Sequence, residues 1–353
     1  MKYRKLGTTD IDVSVICLGT MTWGEQNTQK DGFDQMDYAV ERGINFFDVA
    51  EIYPVMPRKE TYGKTELIIG NWFKEKKNRD KIIIASKIAS GHPKGIGATK
   101  LEWIRGGGEN LRFNKKNMKK AVDDSLRRLK TDYIDLLQLH RQTPELPIEE
   151  TLGALTDLVR QGKVRYIGTS THPSWAVVEA IMFSEIKNCV RIATEQPPYN
   201  LLDRRIENEL IPMAQRYGVG LITWGPLAMG ILAGRYTDAN DFPEGSRAVT
   251  RGGFYAKRVN EKGVEIGVEF MKLADKAGIP PAQLALLWSK DQPGITAPLM
   301  GTRTLEHLET LLPVLEMDLS NELREACDKL VPPGSFVADF HNTSYWNKAR
   351  VLE

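Results

Sequence analysis

Short apolar segments rich in β-branched residues recur along the whole chain, and most of them precede a stretch with helical periodicity. Eight such segments occur, at residues 15–19, 45–48, 82–87, 133–140, 164–170, 191–196, 220–224 and 295–300. This alternation is typical of parallel βα units. Near-continuous apolarity, as in the letters IIIAS and IDLLQL, fits strands that are covered on both faces. We therefore predict an α/β fold, a (β/α)8 TIM barrel formed by a single domain over residues 1–353.

The segments between the predicted strands indicate helices and loops. Helical patterns cover residues 31–42, 114–129, 148–160 and 203–217, and a glycine follows three of them, as expected at a helix C-terminus. The N-terminal letters YRKLGTTDIDVSV predict a β-hairpin that plugs the N-terminal mouth of the barrel. Two long connections, residues 88–113 and 233–261, are predicted to be lid loops at the C-terminal face.

Composition excludes several classes of function. The chain has 48 Lys and Arg against 46 Asp and Glu, so no strong field favours nucleic acid or an anionic membrane. Its three cysteines form no CxxC pair, and no His, Asp or Glu cluster has metal spacing, so we expect neither disulfides nor a metal. Without a signal peptide or a run of about 18 apolar residues, a cytoplasmic location is expected. His172 and His341 are interpreted as surface residues.

Uncommon polar residues stand at the C-terminal ends of the predicted strands. They are Asp48, Lys87, His140, Ser170 and Gln196, and Tyr53 follows five residues after the first of them. Since the C-terminal ends of parallel barrel strands face one mouth, we expect these side chains to converge there.

The residue types suit acid–base chemistry. A tyrosine is a reluctant acid at neutral pH, and the ammonium of Lys87 should lower the pKa of Tyr53. Asp48 can hold that ammonium, while His140 can hydrogen-bond a carbonyl oxygen or relay a proton. The alternative, an ordinary Asp–Lys pair beside a core histidine, is less favoured because burying a charge pair costs desolvation energy.

No dinucleotide-binding fingerprint follows a strand. The strings GIGATK and GGGENL lie in a long connection and lack the third glycine, so a Rossmann site is not supported.

The chain nevertheless resembles the aldo-keto reductase superfamily over nearly its full length, and within it the bacterial Tas-like oxidoreductases. The matching stretches are LGTMTWGEQ, GINFFDVAEIYP, IIIASK, DSLRRLKTDYIDLLQLH, GKVRYIGTS, QPPYNLL and GPLAMGILAGRY. The resemblance implies a catalytic tetrad of Asp48, Tyr53, Lys87 and His140, with Tyr53 as general acid. It also implies hydride delivery from the A face of an extended nicotinamide cofactor.

The resemblance further implies a set of cofactor-binding residues. They are Thr20, Met21 and Asp48 near the nicotinamide ribose, Ser170, Thr171 and Gln196 at the carboxamide, Trp224 against the ring, Gly225, Pro226, Leu227 and Gly230 at the pyrophosphate, Arg235 and Arg247 at phosphates, and Gly301, Thr302, Arg303 and His307 toward the adenosine. Trp224 also fits plain core packing. Arg303 favours NADPH, because a guanidinium matches a 2′-phosphate. Thr171, Gly225 and His307 depart from the usual Asn, Ser and Gln of the family pattern.

The predicted activity is NADPH-dependent reduction of aldehydes or ketones, including sugar-like or aromatic aldehydes. Trp23, Tyr53 and His140 are predicted to line the substrate pocket, with further walls from Tyr62, His92, Trp103 and residues 335–350. Two alternatives remain: a regulatory NADPH-binding subunit similar to potassium-channel beta subunits, and a barrel with other chemistry, such as a sugar-phosphate isomerase. The only expected partner is a small carbonyl compound, with a homo-oligomer left open.

Overall fold

A closed barrel of eight parallel strands forms the centre of the computed structural model, which describes residues 1–89, 103–142 and 146–341. Strands β3 to β10 span Cys17–Gly19, Phe46–Asp48, Ile83–Ile88, Ile134–Leu139, Val164–Ser170, Ile192–Gln196, Gly220–Thr223 and Ile295–Met300. They follow one another around the barrel in chain order, and β10 closes it against β3. The predicted (β/α)8 barrel is confirmed, and each strand lies where its apolar segment indicated.

Helices surround the barrel. Helices α1 to α12 span Gln29–Glu41, Lys64–Lys76, Lys115–Leu129, Ile148–Arg160, Ser174–Lys187, Leu210–Tyr217, Arg247–Arg251, Gly253–Ala256, Glu261–Ala277, Pro281–Lys290, Leu305–Leu311 and Asn321–Leu330. The predicted helix at 203–217 is wrong in its first half, where a short 3-10 turn at Arg205–Glu207 precedes α6. Because α6 begins at Leu210, Pro212 lies in its first turn, where the missing N–H of proline is tolerated.

The N-terminal hairpin closes one end of the barrel. Strands β1 (Tyr3–Lys5) and β2 (Asp12–Ser14) pair antiparallel. Leu6 and Ile11 lie in the connection between these strands, and Val13 lies in β2. All three are buried in one apolar cluster with inward-facing strand residues such as Phe46 and Leu136. The hairpin therefore fills the N-terminal mouth, as predicted, and leaves the opposite mouth for the strand-end side chains.

The long connections lie at that opposite mouth. Residues 103–113, the described end of the 88–113 connection, include a 3-10 turn at Gly108–Leu111, and α7 and α8 lie in the 233–261 connection. The segment that precedes residue 341 is tied to the loop after β8: Arg204 donates its backbone N–H to the carbonyl of Ser335, and Val337 donates to that of Leu202. Within the described ranges, no helix is long and apolar enough to cross a membrane.

Candidate active site

Four side chains meet at the C-terminal mouth from three neighbouring strands. Asp48 ends β4, Lys87 lies near the end of β5, His140 directly follows β6, and Tyr53 lies on the loop after β4. Lys87 Nζ lies 2.5 Å from Asp48 Oδ1 and 3.0 Å from the carbonyl oxygen of Val49. The same Nζ is 5.1 Å from the centroid of the Tyr53 ring, whose edge packs against His140 with 6.1 Å between ring centroids. The structure thus brings the predicted tetrad together.

The net direction of the Tyr53 pKa differs from the sequence-based expectation. Burial raises the pKa of Tyr53, which is 8% exposed, above its usual value near 10. The ammonium of Lys87 acts in the predicted, lowering direction, but burial outweighs it. The expectation of a lowered pKa was wrong because the sequence does not show how completely the phenol is removed from water. Tyr53 therefore holds its proton at neutral pH.

Lys87 is positively charged at neutral pH, whereas His140 is uncharged. Burial is the largest single influence on the pKa of Lys87 and lowers it, but the Asp48 carboxylate and the neighbouring Tyr53 and Cys17 together raise it above its usual value, so the amine stays protonated. Burial, with the positive charges of Arg141 and Lys87, holds the pKa of His140 well below its usual 6.5. His140 is consequently a neutral imidazole, and its buried Nδ1 has no hydrogen-bond partner within the described part of the chain. A neutral ring can hydrogen-bond a carbonyl oxygen without adding charge.

An amide network holds the other side of Asp48. Gln196 Nε2 donates to Asp48 Oδ2 at 2.7 Å and to Gln138 Oε1 at 3.2 Å, and Gln138 Nε2 lies 3.4 Å from the same carboxylate oxygen. Both hydrogens of the Gln196 amide are therefore used inside the protein. Sequence reasoning missed Gln138, although its position two residues before His140 places it on the same inward face of β6.

The turn after β7 contacts Arg141 and Glu195, two residues that the sequence analysis missed. Thr171 has a φ of 58°, unusual for a β-branched residue, and its Oγ1 accepts a hydrogen bond from Arg141 at 3.2 Å. Ser170 Oγ and Thr171 N both donate to the carbonyl of Gln196. Glu195 Oε1 accepts the backbone N–H of His172 at 3.0 Å, and burial raises the pKa of Glu195 to about 7.

Of the other predicted cofactor residues, Thr20, which follows β3, lies beside the tetrad. Thr20 is fully buried and donates from Oγ1 to the carbonyl of Asp48 at 2.8 Å, while the Met21 carbonyl accepts from Val55 N at 2.9 Å. The half-buried Trp224 faces the guanidinium of Arg258, with 5.4 Å between Cζ and the ring centroid.

The segment after Trp224 has an unusual backbone. Gly225, Ala228, Met229 and Gly230 all have positive φ, and a Cβ added at Gly225 would meet no atom within 4 Å. Pro226 and Leu227 lie inside this turn. Such a backbone leaves room for a phosphate to approach the main chain closely.

The 233–261 connection contributes two further arginines from the predicted cofactor set, and one of them lies against that turn. Arg235 packs across Gly230 and donates from Nη2 to the carbonyl of Glu244 at 3.3 Å. Burial lowers the pKa of Arg247 to about 10, so this guanidinium remains charged at neutral pH.

The residues after β10 form the far end of the predicted cofactor site. Gly301 and Arg303 are exposed, whereas Thr302 is buried and donates to Gln35 Oε1 at 3.0 Å. His307 is exposed, and its backbone N–H donates to the side chain of Thr304, the N-cap of α11. The structure thus places Gly301, Arg303 and His307 on an open surface after β10, the strand that pairs with β3.

Two placements differ from the expectations. Trp23 is 0% exposed, and its Nε1 lies 3.3 Å from Gln35 Oε1, so it packs in the core rather than facing an open pocket. His172, interpreted as a surface residue, is buried.

Tyr62 and Trp103 do lie together near the mouth. Their ring centroids are 5.5 Å apart, and Tyr62 donates to Glu51, which pairs with Arg105. His92 and residues 342–350 lie outside the described residues.

Comparison with known proteins agrees with the geometry. The chain belongs to the aldo/keto reductase family, whose model matches residues 15–332. It is 36% identical to Protein tas of Escherichia coli (strain K12) over 342 residues, covering 92% of this chain and 95% of that protein. Over 337 residues it is 34% identical to the uncharacterized oxidoreductase YrpG of Bacillus subtilis (strain 168), covering 95% and 97% of the two chains. Norsolorinic acid reductase B of Aspergillus parasiticus is 30% identical over 329 residues, 91% of this chain and 82% of that one. The chain is therefore an oxidoreductase of a family that generally reduces carbonyl groups.

Proposed function

We propose that the protein reduces aldehydes or ketones to alcohols with NADPH and that Tyr53 is the general acid. The observation that carries the proposal is the position of Lys87 Nζ, which contacts Asp48 and lies 5.1 Å from the ring of Tyr53 beside His140. An ordinary buried ion pair would need neither a tyrosine nor an unpartnered imidazole at the same place.

Each side chain of the tetrad has a separate role in transferring a proton to the carbonyl oxygen. Tyr53 is protonated at neutral pH and can donate its proton to the oxygen of a carbonyl as negative charge develops there. Lys87 stabilises the tyrosinate that remains, and Asp48 keeps Lys87 charged and in position. His140, neutral and with an unpartnered Nδ1, can hold the carbonyl oxygen near the phenol.

The mouth also fits a nicotinamide dinucleotide, which when bound supplies hydride to the carbonyl carbon. Ser170, Thr171 and Gln196 would hold the carboxamide, and the open backbone at Gly225 to Gly230 would face the phosphates with Arg235 and Arg247. Gly301, Thr302, Arg303 and His307 would hold the adenosine end. The exposed guanidinium of Arg303 supports a preference for the 2′-phosphate of NADPH.

The test combines binding and turnover. Fluorescence titration is expected to show that NADPH binds more tightly than NADH, and NADPH absorbance is expected to fall with a panel of aromatic and sugar-like aldehydes. Turnover without nicotinamide binding would overturn the proposal in favour of other barrel chemistry. NADPH binding with no turnover of any aldehyde or ketone would overturn it in favour of a regulatory subunit.

A further inference from the structure

A second cavity lies outside the barrel wall, behind the mouth. Its volume is about 430 Å³, and it lies between β6, β7 and the helices α4 and α5. Leu139 and Thr169 line it and are register partners in β6 and β7. Gln138, the neighbour of Leu139, points inward to Asp48, so Leu139 points away from the barrel interior. The cavity is therefore separate from the space around Tyr53.

One buried side-chain oxygen that lines this cavity accepts no hydrogen bond within the described residues. Gln142 lines the cavity and is only 8% exposed, and its buried Oε1 has no hydrogen-bond partner within the described ranges. A buried carbonyl oxygen without a donor destabilises the folded protein. A ligand with a hydrogen-bond donor would relieve this destabilisation.

His172 adds a second acceptor to the lining. It is 5% exposed, and its Nδ1 donates to the carbonyl of Ser170 at 3.1 Å. Burial lowers the pKa of His172 to about 4, so the ring is neutral at physiological pH. Because Nδ1 carries the hydrogen, Nε2 is left as an acceptor.

The charge at the edge of the cavity favours a cation. The exposed carboxylate of Glu149 borders it, and no lysine or arginine is among its described lining residues. Phe113, Leu146 and Ile148 supply apolar walls. Two acceptors and one carboxylate combined with apolar walls suit a molecule that has an apolar body and a positively charged donor.

We propose that this cavity is a second small-molecule site, which binds a protonated primary amine with an apolar body. Gln142 Oε1 accepts a hydrogen bond from the ammonium group, and the apolar part lies against the walls from α4 and α5. The site does not depend on carbonyl reduction at the mouth. It borders the turn of Ser170 and His172, so its occupant lies directly behind the proposed carboxamide site.

Three probes of one shape test the charge of the ligand: benzylamine, benzyl alcohol and benzoate, measured by titration calorimetry. Benzylamine is expected to bind most tightly. Benzoate is the critical comparison, because the N-terminal turn of α4 also borders the cavity and its free amide groups attract anions. Benzoate binding as tightly as benzylamine, or tighter, overturns the proposal.

Substitutions at Gln142 test whether benzylamine binds in this cavity. Gln142→Leu removes the acceptor and is expected to weaken benzylamine binding about tenfold, the effect of losing one charge-assisted hydrogen bond. Gln161→Leu makes the same change at an exposed position on the far end of α4 and is expected to leave binding unchanged. Gln142→Glu, which retains an oxygen acceptor and adds charge, should tighten benzylamine and weaken benzoate. Unchanged benzylamine affinity in both Gln142 variants places the ligand elsewhere and overturns the proposal.

Discussion

The ammonium of Lys87 lies 2.5 Å from a carboxylate oxygen of Asp48, and each side chain is only 1% exposed. Gln196 donates to the other carboxylate oxygen, so Asp48 is held on two sides. The pair joins the end of β4 to β5 and fixes where positive charge faces the Tyr53 ring. In this position the charge acts on a phenol that burial alone would make a very weak acid.

Replacing Asp48 by Asn should destabilise the fold and slow turnover. The variant leaves the buried ammonium of Lys87 without its counter-charge, which costs about 3–5 kcal/mol in comparable buried pairs. Chemical denaturation measures this loss, and NADPH consumption measures the rate. Asp34→Asn, which breaks the exposed Lys30–Asp34 pair, is the matched control and should change stability little. Equal effects of the two substitutions would contradict the role of the buried pair.

The rate of carbonyl reduction should be insensitive to pH through the neutral range. The reaction needs protonated Tyr53, and burial raises the pKa of Tyr53 above 10, so the acid form persists as pH rises. His140 stays neutral because its pKa lies well below 6.5. Single-turnover rates should therefore be nearly constant from about pH 7 to about pH 10. If the rate instead declines with a midpoint below about pH 9, then Lys87 lowers the pKa of Tyr53 more than burial raises it.

Glu195 should make folding stability depend on pH in a defined window. Its folded pKa of about 7 lies above the usual 4.5, so between these values the folded state binds more protons than the unfolded state. The contribution of Glu195 to the free energy of unfolding is then fully present below about pH 4.5 and falls by about 3 kcal/mol as pH rises through about 7. Glu195→Gln should remove this fall, as measured by urea denaturation at several pH values. The exposed Glu185→Gln serves as control, and a fall of the same size in Glu195→Gln would contradict the assignment.

Alanine substitutions at two glycines should change the stability of the protein in opposite directions. A Cβ at Gly168 in β7 would lie 2.1 Å from Thr194 Oγ1 and 3.0 Å from the carbonyl of Thr194, so Gly168→Ala forces the barrel wall to shift and destabilises it. Gly153 lies inside α4 with no atom within 4 Å of an added Cβ. Gly153→Ala should therefore stabilise the protein by about 0.5–1 kcal/mol. Thermal unfolding of both variants checks the pair, and a stabilised Gly168→Ala would refute the packing described for β7.

The barrel was predictable because its strands are buried on both faces. Near-continuous apolar runs such as Ile134–Leu139 stand out against amphipathic helices, and five of the eight end where a polar side chain enters the mouth. That regularity placed Asp48, Lys87 and His140 together before any distance was known. The first half of the 203–217 segment was predicted wrongly, although Pro212 favours the first turn of a helix and so indicates a start near Leu210.

Properties that depend on burial and on neighbours across the fold were not predictable. Trp23 and His172 are residue types found both in cores and on surfaces, and only packing against distant segments decides between them. The net pKa direction of Tyr53 requires the extent of desolvation, which no motif encodes. No sequence pattern distinguishes Gln138 or Glu195. Gln138 contributes through its hydrogen bond to Asp48, and Glu195 through the hydrogen bond that it accepts from His172.

The most direct measurement of the central claim is the single-turnover rate of aldehyde reduction by Tyr53→Phe with NADPH saturating. We predict a rate at least 100-fold below that of the unmodified protein, since general acid catalysis contributes about 10²–10⁴-fold, with NADPH affinity nearly unchanged. Tyr166→Phe removes a phenol hydroxyl that donates to Asp10 beside the N-terminal hairpin and should retain the full rate. A rate in Tyr53→Phe equal to that of Tyr166→Phe would contradict the assignment of Tyr53 as the proton donor.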